Sequence, residues 1–133
     1  MKYEFILPYP PTVNHYYRHT PQGTKISKTG RMFRLSVKKA VILTGSIKLF
    51  GGVKIHVDLF CPDWRKRDID NTLKALLDAL THAGVYEDDS FITLLTVAKK
   101  RAPEGNKKGA AWVYVETTDK NYTTEKKSGA WYK

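Results

Sequence analysis

Two aspartates spaced two residues apart, Asp68 and Asp70, begin a segment whose residue types suit metal-assisted chemistry. Lys74 follows Asp70 by about one helical turn, and two more carboxylates, Asp88 and Asp89, come on a later loop. Mg²⁺ prefers oxygen ligands and is commonly held by one or two carboxylates, with water and phosphate oxygens completing its shell. A cation held in that way polarises a phosphate and activates a water for attack. The segment therefore predicts a site for metal-assisted cleavage of a polyanion.

The order of elements around the aspartates decides whether they can share one cation. Asp68 and Asp70 lie where a strand passes into a helix, and side chains two apart in an extended segment point to the same side. A helix of about 15 residues is about 22 Å long. Asp88 and Asp89 therefore begin at its far end, and only a short helix or a folded loop would bring them back. Lys74 can pair with Asp70 on the helix, or it can reach the scissile phosphate or the attacking water.

The same residues also have purely structural explanations. Asp-x-Asp alone is a weak motif, since Asp68 can cap the helix and Asp89 can belong to a solvated loop. Asp63, after a proline, is expected to form a turn, and Asp78 to lie on a solvated helix face. Cys61 is expected to be a small buried side chain in a reducing cytosol. The sequence shows no zinc spacing among its four histidines and single cysteine, and no glycine-rich phosphate loop.

The chain of 133 residues has a formal net charge of +10, and the charge is unevenly distributed. Between Glu4 and Asp58 there are nine basic residues and no acidic one, whereas eight of the thirteen acids lie from Asp58 to Asp89. This pattern favours a nucleic acid as the partner. A membrane surface is a weaker candidate, because no basic amphipathic helix is set apart. Tyr16 and Tyr17, within the basic section, either stack on bases or pack into the core.

The elements that must position these groups follow the order β-α-β-α-β-β. Apolar periodicity predicts strands at 2–7, 53–60, 91–100 and 111–117, helices at 31–45 and about 69–83, and a long loop at 13–24. Asp70 suits the start of the second helix, and Gly84 suits a left-handed cap at its end. The strand at 91–100 is apolar on both sides, which favours a central place in the sheet. The order predicts an α+β, two-layer single domain with a mixed sheet over 1–118, followed by a polar, flexible tail over 119–133.

Three segments of the chain, taken together, resemble the RusA family of Holliday junction resolvases. The first runs from Leu7 to His19, the last from Lys74 to Asp89, and the central one is Pro62-Asp63-Trp64-Arg65-Lys66-Arg67-Asp68-Ile69-Asp70-Asn71. The resemblance implies a small homodimeric endonuclease, cytoplasmic and encoded by bacteria or phages. It implies dependence on Mg²⁺, with Mn²⁺ expected to substitute. Such an enzyme resolves four-way DNA junctions by paired symmetric nicks, in recombination and repair.

Carried over by position, the resemblance implies roles for particular residues. Asp68, Asp70 and Asp89 would be catalytic carboxylates and metal ligands, Asp88 a further ligand and Lys74 the essential lysine. The family's fold is expected to bring Asp89 to the first two aspartates. A four-way junction has approximate twofold symmetry, so a C2 dimer would supply two matched sites.

The remaining predictions concern DNA and the rival functions. The residues expected to contact DNA lie in the basic first section and beside the central aspartates: Asn14, Tyr16, Tyr17, Arg18, Arg31, Arg34, Arg65, Lys66 and Arg67. Neither a membrane nor a small-molecule cofactor is expected. Two alternatives stay open: a non-catalytic basic nucleic-acid-binding protein, and a metal-dependent nuclease that acts on flaps, forks or RNA.

Overall fold

The computed structural model describes residues 1–118, and the tail predicted for 119–133 lies outside them. The described elements are, in chain order, β1 (Lys2–Leu7), α1 (Val13–Tyr16), β2 (Tyr17–Thr20), β3 (Gly23–Ile26), α2 (Lys28–Leu43), β4 (Val53–Cys61), α3 (Leu73–His82), a short 3₁₀ helix (Asp89–Phe91), β5 (Ile92–Arg101) and β6 (Ala110–Thr117). None of the helices in this part of the chain is long and apolar enough to cross a membrane.

Four of the strands form one mixed sheet in the order β1-β6-β4-β5. β6 pairs antiparallel with β1 and with β4, whereas β4 and β5 run parallel. Parallel neighbours need a crossover connection, and α3 provides it. α3 therefore runs back along the sheet, antiparallel to β4, which precedes it in the chain, and to β5, which follows it. The predicted α+β class with a mixed sheet is confirmed.

The alternating pattern of β4 explains how the two layers form. Val53, Ile55, Val57 and Leu59 are at most 1% exposed and face the helices. They pack with apolar residues of both long helices in one core, which includes Phe33, Val37, Val41, Leu76 and Leu80. Each such side chain contributes about 1.5–3 kcal/mol through burial. The intervening residues of β4, among them His56 and Asp58, lie on the other face of the sheet.

Two predicted elements differ from the structure. β5 is an edge strand and not a central one, and its Leu94 is 52% exposed. The predicted loop at 13–24 holds α1 and a β2–β3 hairpin in which Tyr17 pairs with Ile26. The hairpin turn depends on Gly23, whose φ of 114° favours glycine, and on the Thr20 hydroxyl, which donates to the Gly23 carbonyl at 2.7 Å.

The helix after the aspartates is shorter than predicted. α3 has ten residues and begins at Leu73, so it spans about 15 Å. Asp70 lies before it, in a turn where the Leu73 amide donates to the Asp70 carbonyl at 3.2 Å. At the other end Gly84 has φ 79°, which confirms the left-handed cap.

Candidate active site

The loop from β4 to α3, residues 62–72, carries the central aspartates, and Asp63 determines its shape. Asp63 Oδ1 accepts a hydrogen bond from the Arg65 amide at 3.0 Å, which confirms the expected turn. The same oxygen lies 2.7 Å from Arg67 Nη1. Hydrogen bonds from the Arg67 guanidinium and the Arg65 backbone hold the pKa of Asp63 well below its usual range. Arg67, expected to contact DNA, is thus engaged mainly in holding the loop, with its side chain 20% exposed.

The N-terminal segment packs against this loop. The Tyr9 ring centre lies 5.9 Å from the Arg67 guanidinium, and the Tyr9 hydroxyl contacts Cys61 Sγ at 3.7 Å. Burial, together with the hydrogen bond to Cys61, raises the pKa of Tyr9 to about 12. The Val13 amide donates to the Asn71 carbonyl at 3.2 Å. Two segments far apart in sequence therefore meet here, and exposed Asn14 lies beside the 62–72 loop.

Asp68 and Asp70, on the 62–72 loop, and Lys74, in the first turn of α3, are all exposed. Within residues 1–118 no ion pair involves any of the three. The helical pair between Asp70 and Lys74 is not formed, because Asp70 precedes the helix. Exposed carboxylate oxygens without a cationic partner form a donor set that suits a hard divalent cation.

Asp88 and Asp89 lie near the opposite end of the β4–β5 pair. Asp88 caps the 3₁₀ helix, accepting from the Ser90 hydroxyl at 2.5 Å and the Ser90 amide at 3.3 Å. These hydrogen bonds lower the pKa of Asp88. Asp89 opens the 3₁₀ helix that leads into Ile92, and Ile92 pairs with Val53 at the start of β4.

The 62–72 loop, with Asp68 and Asp70, is anchored near the other end of β4 and β5. Lys99 pairs with Leu59, and its Nζ donates to the Arg67 carbonyl at 2.6 Å. Ile92 and Lys99 are separated by about 23 Å of extended strand. Among the described residues, no three histidine, cysteine, aspartate or glutamate side chains are grouped to hold a metal. Asp89 thus forms no such group with Asp68 and Asp70 within residues 1–118, and the roles of these residues stay predictions.

A partly buried polar network bears on the predictions for Tyr16, Arg34 and Asp78. Tyr16 is 0% exposed, and its hydroxyl donates to Asp78 Oδ2 at 2.5 Å. Arg34 donates through Nε to the Tyr16 hydroxyl at 2.8 Å and through Nη2 to Asp78 Oδ2 at 2.7 Å. Tyr16 thus packs in the core, which was the alternative to base stacking, and Asp78 is engaged in hydrogen bonds instead of being solvated. The Arg34 side chain is only 26% exposed, so its charge needs a partner. DNA contact by Arg34 stays a prediction.

The exposed basic residues of the first section surround the hairpin and the start of α2. Arg18 pairs with Lys25 in the hairpin, and both are exposed, as is Arg31. The Ser27 hydroxyl caps α2 by accepting from the Gly30 amide at 2.9 Å, and it donates to the Tyr16 carbonyl at 2.9 Å. Hairpin and helix are thus fixed together as one basic surface.

The remaining predicted DNA contacts differ in their exposure. Tyr17 is only partly exposed and packs edge-on against Tyr16. Arg65 and Lys66 are exposed on the 62–72 loop. Sequence reasoning missed the contact between Trp64, on that loop, and Arg101, at the end of β5. Their pairing depends on the parallel register of β4 and β5, which no local pattern reveals.

The fold and this end of the sheet define a basic α+β protein with unpaired carboxylates suited to metal-assisted phosphodiester chemistry. Residues 8–126 match the family described as endodeoxyribonuclease RusA. Over 108 residues the chain is 40% identical to crossover junction endodeoxyribonuclease rusA of Enterobacteria phage 82, covering 79% of this chain and 88% of that one. It is 39% identical over 109 residues to the enzyme of that name from Shigella sonnei (strain Ss046), with the same coverage. The chain belongs to the RusA family of endodeoxyribonucleases.

Among solved structures, the chain aligns with the periplasmic domain of Helicobacter pylori MotB (residues 90–256). The two share 14% sequence identity with a TM-score of 0.42, over 94% of this chain and 79% of that one.

Proposed function

We propose that this protein is a divalent-metal-dependent endonuclease that resolves four-way DNA junctions, in recombination and repair. The observation that carries the proposal is the pair of exposed, unpartnered carboxylates, Asp68 and Asp70, in a family member of net charge +10. The relatives named above are crossover junction endodeoxyribonucleases. Unpaired acids on a basic protein suit a cation that bridges the protein and a DNA phosphate. Mg²⁺ is the expected cation, with Mn²⁺ as a substitute.

Each residue of the site has a separate role in this proposal. Asp68 and Asp70 would hold the cation through their carboxylate oxygens. The chemistry that a cation held there would supply is polarisation of the scissile phosphate and activation of a water as nucleophile. Lys74, exposed in the first turn of α3, would stabilise the negative charge that builds on the phosphate during attack.

The proposal includes a homodimer in which Asp88 and Asp89 of one chain complete the site of the other. The distance of about 23 Å between Ile92 and Lys99 along β5 supports this. Asp88 and Asp89 come just before Ile92, whereas Lys99 holds the 62–72 loop that carries Asp68 and Asp70. A twofold axis that sets two such ends against each other would form two composite sites. Two sites of this kind match the twofold symmetry of a four-way junction and its paired nicks.

The edge strand β5 is a suitable surface for that dimer. Within residues 1–118, its ten residues leave one row of backbone groups without a neighbouring strand. Its two ends differ in charge, since Glu87, Asp88 and Asp89 precede it and Lys99, Lys100 and Arg101 end it. Antiparallel pairing of two β5 edges would set each acidic end against the partner's basic end, beside its 62–72 loop.

Cleavage of matched synthetic substrates tests the proposal. A four-way junction, a duplex, a flap, a fork and an RNA of equal length are incubated with the protein at one salt concentration, with Mg²⁺ or EDTA. The expected result is symmetric, Mg²⁺-dependent nicking of the junction and an intact duplex. Preferential cutting of flaps, forks or RNA would support the nuclease alternative. Tight binding without cleavage in either Mg²⁺ or Mn²⁺ would support the non-catalytic alternative.

A further inference from the structure

Trp64 is the most exposed aromatic side chain in the described part of the chain, with 82% of its surface accessible. It lies on the 62–72 loop, four residues before Asp68. The Arg101 guanidinium stacks on its ring with Cζ 4.0 Å from the ring centre. A tryptophan that contributes to stability is normally buried over a large apolar area. This one is held in place by Arg101 while the rest of its ring stays in solvent.

The ring borders an open pocket of about 310 Å³ between the 62–72 loop and the end of β5. Ligand pockets begin at about 300 Å³, so the space suits one small planar group. Five basic residues line it, Arg65, Lys66, Lys99, Lys100 and Arg101, against the single acid Asp63. The pocket is therefore strongly positive.

Several of these charges are already engaged, and the pattern shows which are available. Asp63 is paired with Arg65 and Arg67, so it offers no free negative charge to a ligand. Lys99 donates to the Arg67 carbonyl and Lys100 to Asp58. Lys66 and Arg101 form no ion pair within residues 1–118. An open aromatic face backed by Arg101, with the unpaired Lys66 beside it, matches a nucleobase and its phosphate.

We propose that Trp64 and Arg101 form a stacking platform for one unstacked nucleobase at the branch point of the DNA, with Lys66 on the adjacent phosphate. The proposal rests on the proposed function, since it places the branch point of the cut junction beside Asp68 and Asp70. Intact duplex keeps its bases stacked and presents no free face to Trp64. The platform would therefore favour branched DNA over duplex, while phosphate contacts alone would not.

Affinity measurements on full-length variants test the platform. Binding to a four-way junction and to a duplex of equal length is measured in EDTA, which prevents metal-dependent cleavage. Trp64→Ala should weaken junction binding about tenfold, as expected for loss of one base stack, and leave duplex binding unchanged. Trp64→Phe should retain most of the affinity. Arg101→Lys, which keeps the charge but loses the planar guanidinium, should fall between them.

Leu43→Ala is the matched control, because Leu43 is an 88% exposed apolar side chain at the end of α2. It should bind both DNAs as the natural protein does. Equal loss of junction and duplex binding in Trp64→Ala, or no loss, would overturn the platform. Thermal melting of each variant shows whether it is folded.

A photocross-link locates the base directly. A junction with 5-iododeoxyuridine at the branch point is irradiated in complex with the protein, and the modified peptide is identified by mass spectrometry. An adduct on Trp64 supports the platform, and adducts only elsewhere overturn it. If the natural protein cuts the junction while these results are negative, the platform fails and the proposed function stands. If it neither prefers nor cuts the junction, both fail.

Discussion

Arg34 and Asp78 form an ion pair of 2.7 Å that joins α2 to α3. Tyr16 completes the network from α1, and Arg34 also lies over its ring, with Cζ 5.7 Å from the centre. α2 carries part of the basic surface, and α3 begins directly after the 62–72 loop. The network therefore holds the expected DNA surface in a set position relative to Asp68 and Asp70.

Arg34→Ala should reduce the free energy of unfolding by about 2 kcal/mol, because it leaves half-buried Asp78 and the Tyr16 hydroxyl without their cation. Urea denaturation measures this loss. Arg31→Ala, three residues earlier and exposed, should leave stability unchanged.

Arg31 should contribute more to DNA binding than Arg34 does, the reverse of their contributions to stability. Arg31→Ala should weaken binding and reduce the slope of log affinity against log salt by about one, the value for one lost phosphate contact. A salt titration of junction binding measures the slope. An Arg31→Ala variant that melts early but binds DNA normally would contradict this assignment.

The stability of the network should depend on pH through Asp78. Burial raises the pKa of the Asp78 carboxyl, but hydrogen bonds from Tyr16 and Arg34 outweigh it, so the pKa lies below its ordinary value. A carboxyl whose pKa is lowered by folding stabilises the protein above its unfolded pKa of about 3.9. That contribution is lost as pH falls through the folded pKa. The stability difference between the natural protein and Asp78→Asn should therefore be full near pH 7 and shrink below about pH 4 in urea titrations.

Asp70→Asn should abolish cleavage while junction binding stays equal or becomes tighter. The change removes a negative charge that faces DNA phosphates, and exposed Asp70 lies outside the helix, so folding should be unaffected. Gel-shift and nicking assays on one preparation measure both effects. Glu4→Gln, an exposed acid on β1, is the control and should cut normally. Joint loss of binding and thermal stability in Asp70→Asn would favour a structural role for Asp70.

Lys74→Ala should lower the single-turnover cleavage rate on the order of 100-fold, the usual loss when a positioned charge is removed from a transition state. Junction affinity should change little, because one lysine is a small share of the phosphate contacts. Lys2→Ala, an exposed lysine on β1, serves as the control. Full recovery of the rate at saturating protein would show that Lys74 is only a phosphate contact.

Mixing two inactive variants should restore nicking if each site uses both chains. Asp70→Asn and Asp89→Asn are each expected to be inactive alone. In a mixed dimer one composite site carries both changes and the other carries neither, so one intact site remains. The expected product is a junction nicked in one strand, without the paired second cut. A site built within one chain would leave the mixture inactive.

Local sequence determined much of this protein. The alternation of β4 specified a strand and its buried face, Gly84 specified the end of α3, and Asp63 after Pro62 specified a turn. These features depend on neighbours within a few residues, where side-chain type limits the backbone directly. The acidic segment and its family likewise followed from residue types in order.

Only the tertiary structure decided which surfaces are free. Tyr16 is buried because its hydroxyl meets Asp78, 62 residues away. β5 lies at the edge because β6 returns between β1 and β4, and apolar residues on both sides of a strand do not reveal its neighbours. The parallel register of β4 and β5 places Ile92, just after Asp89, beside Val53, and Lys99, which holds the Arg67 carbonyl, beside Leu59. Contacts between distant segments depend on the packing of the whole chain, so no local pattern could place them.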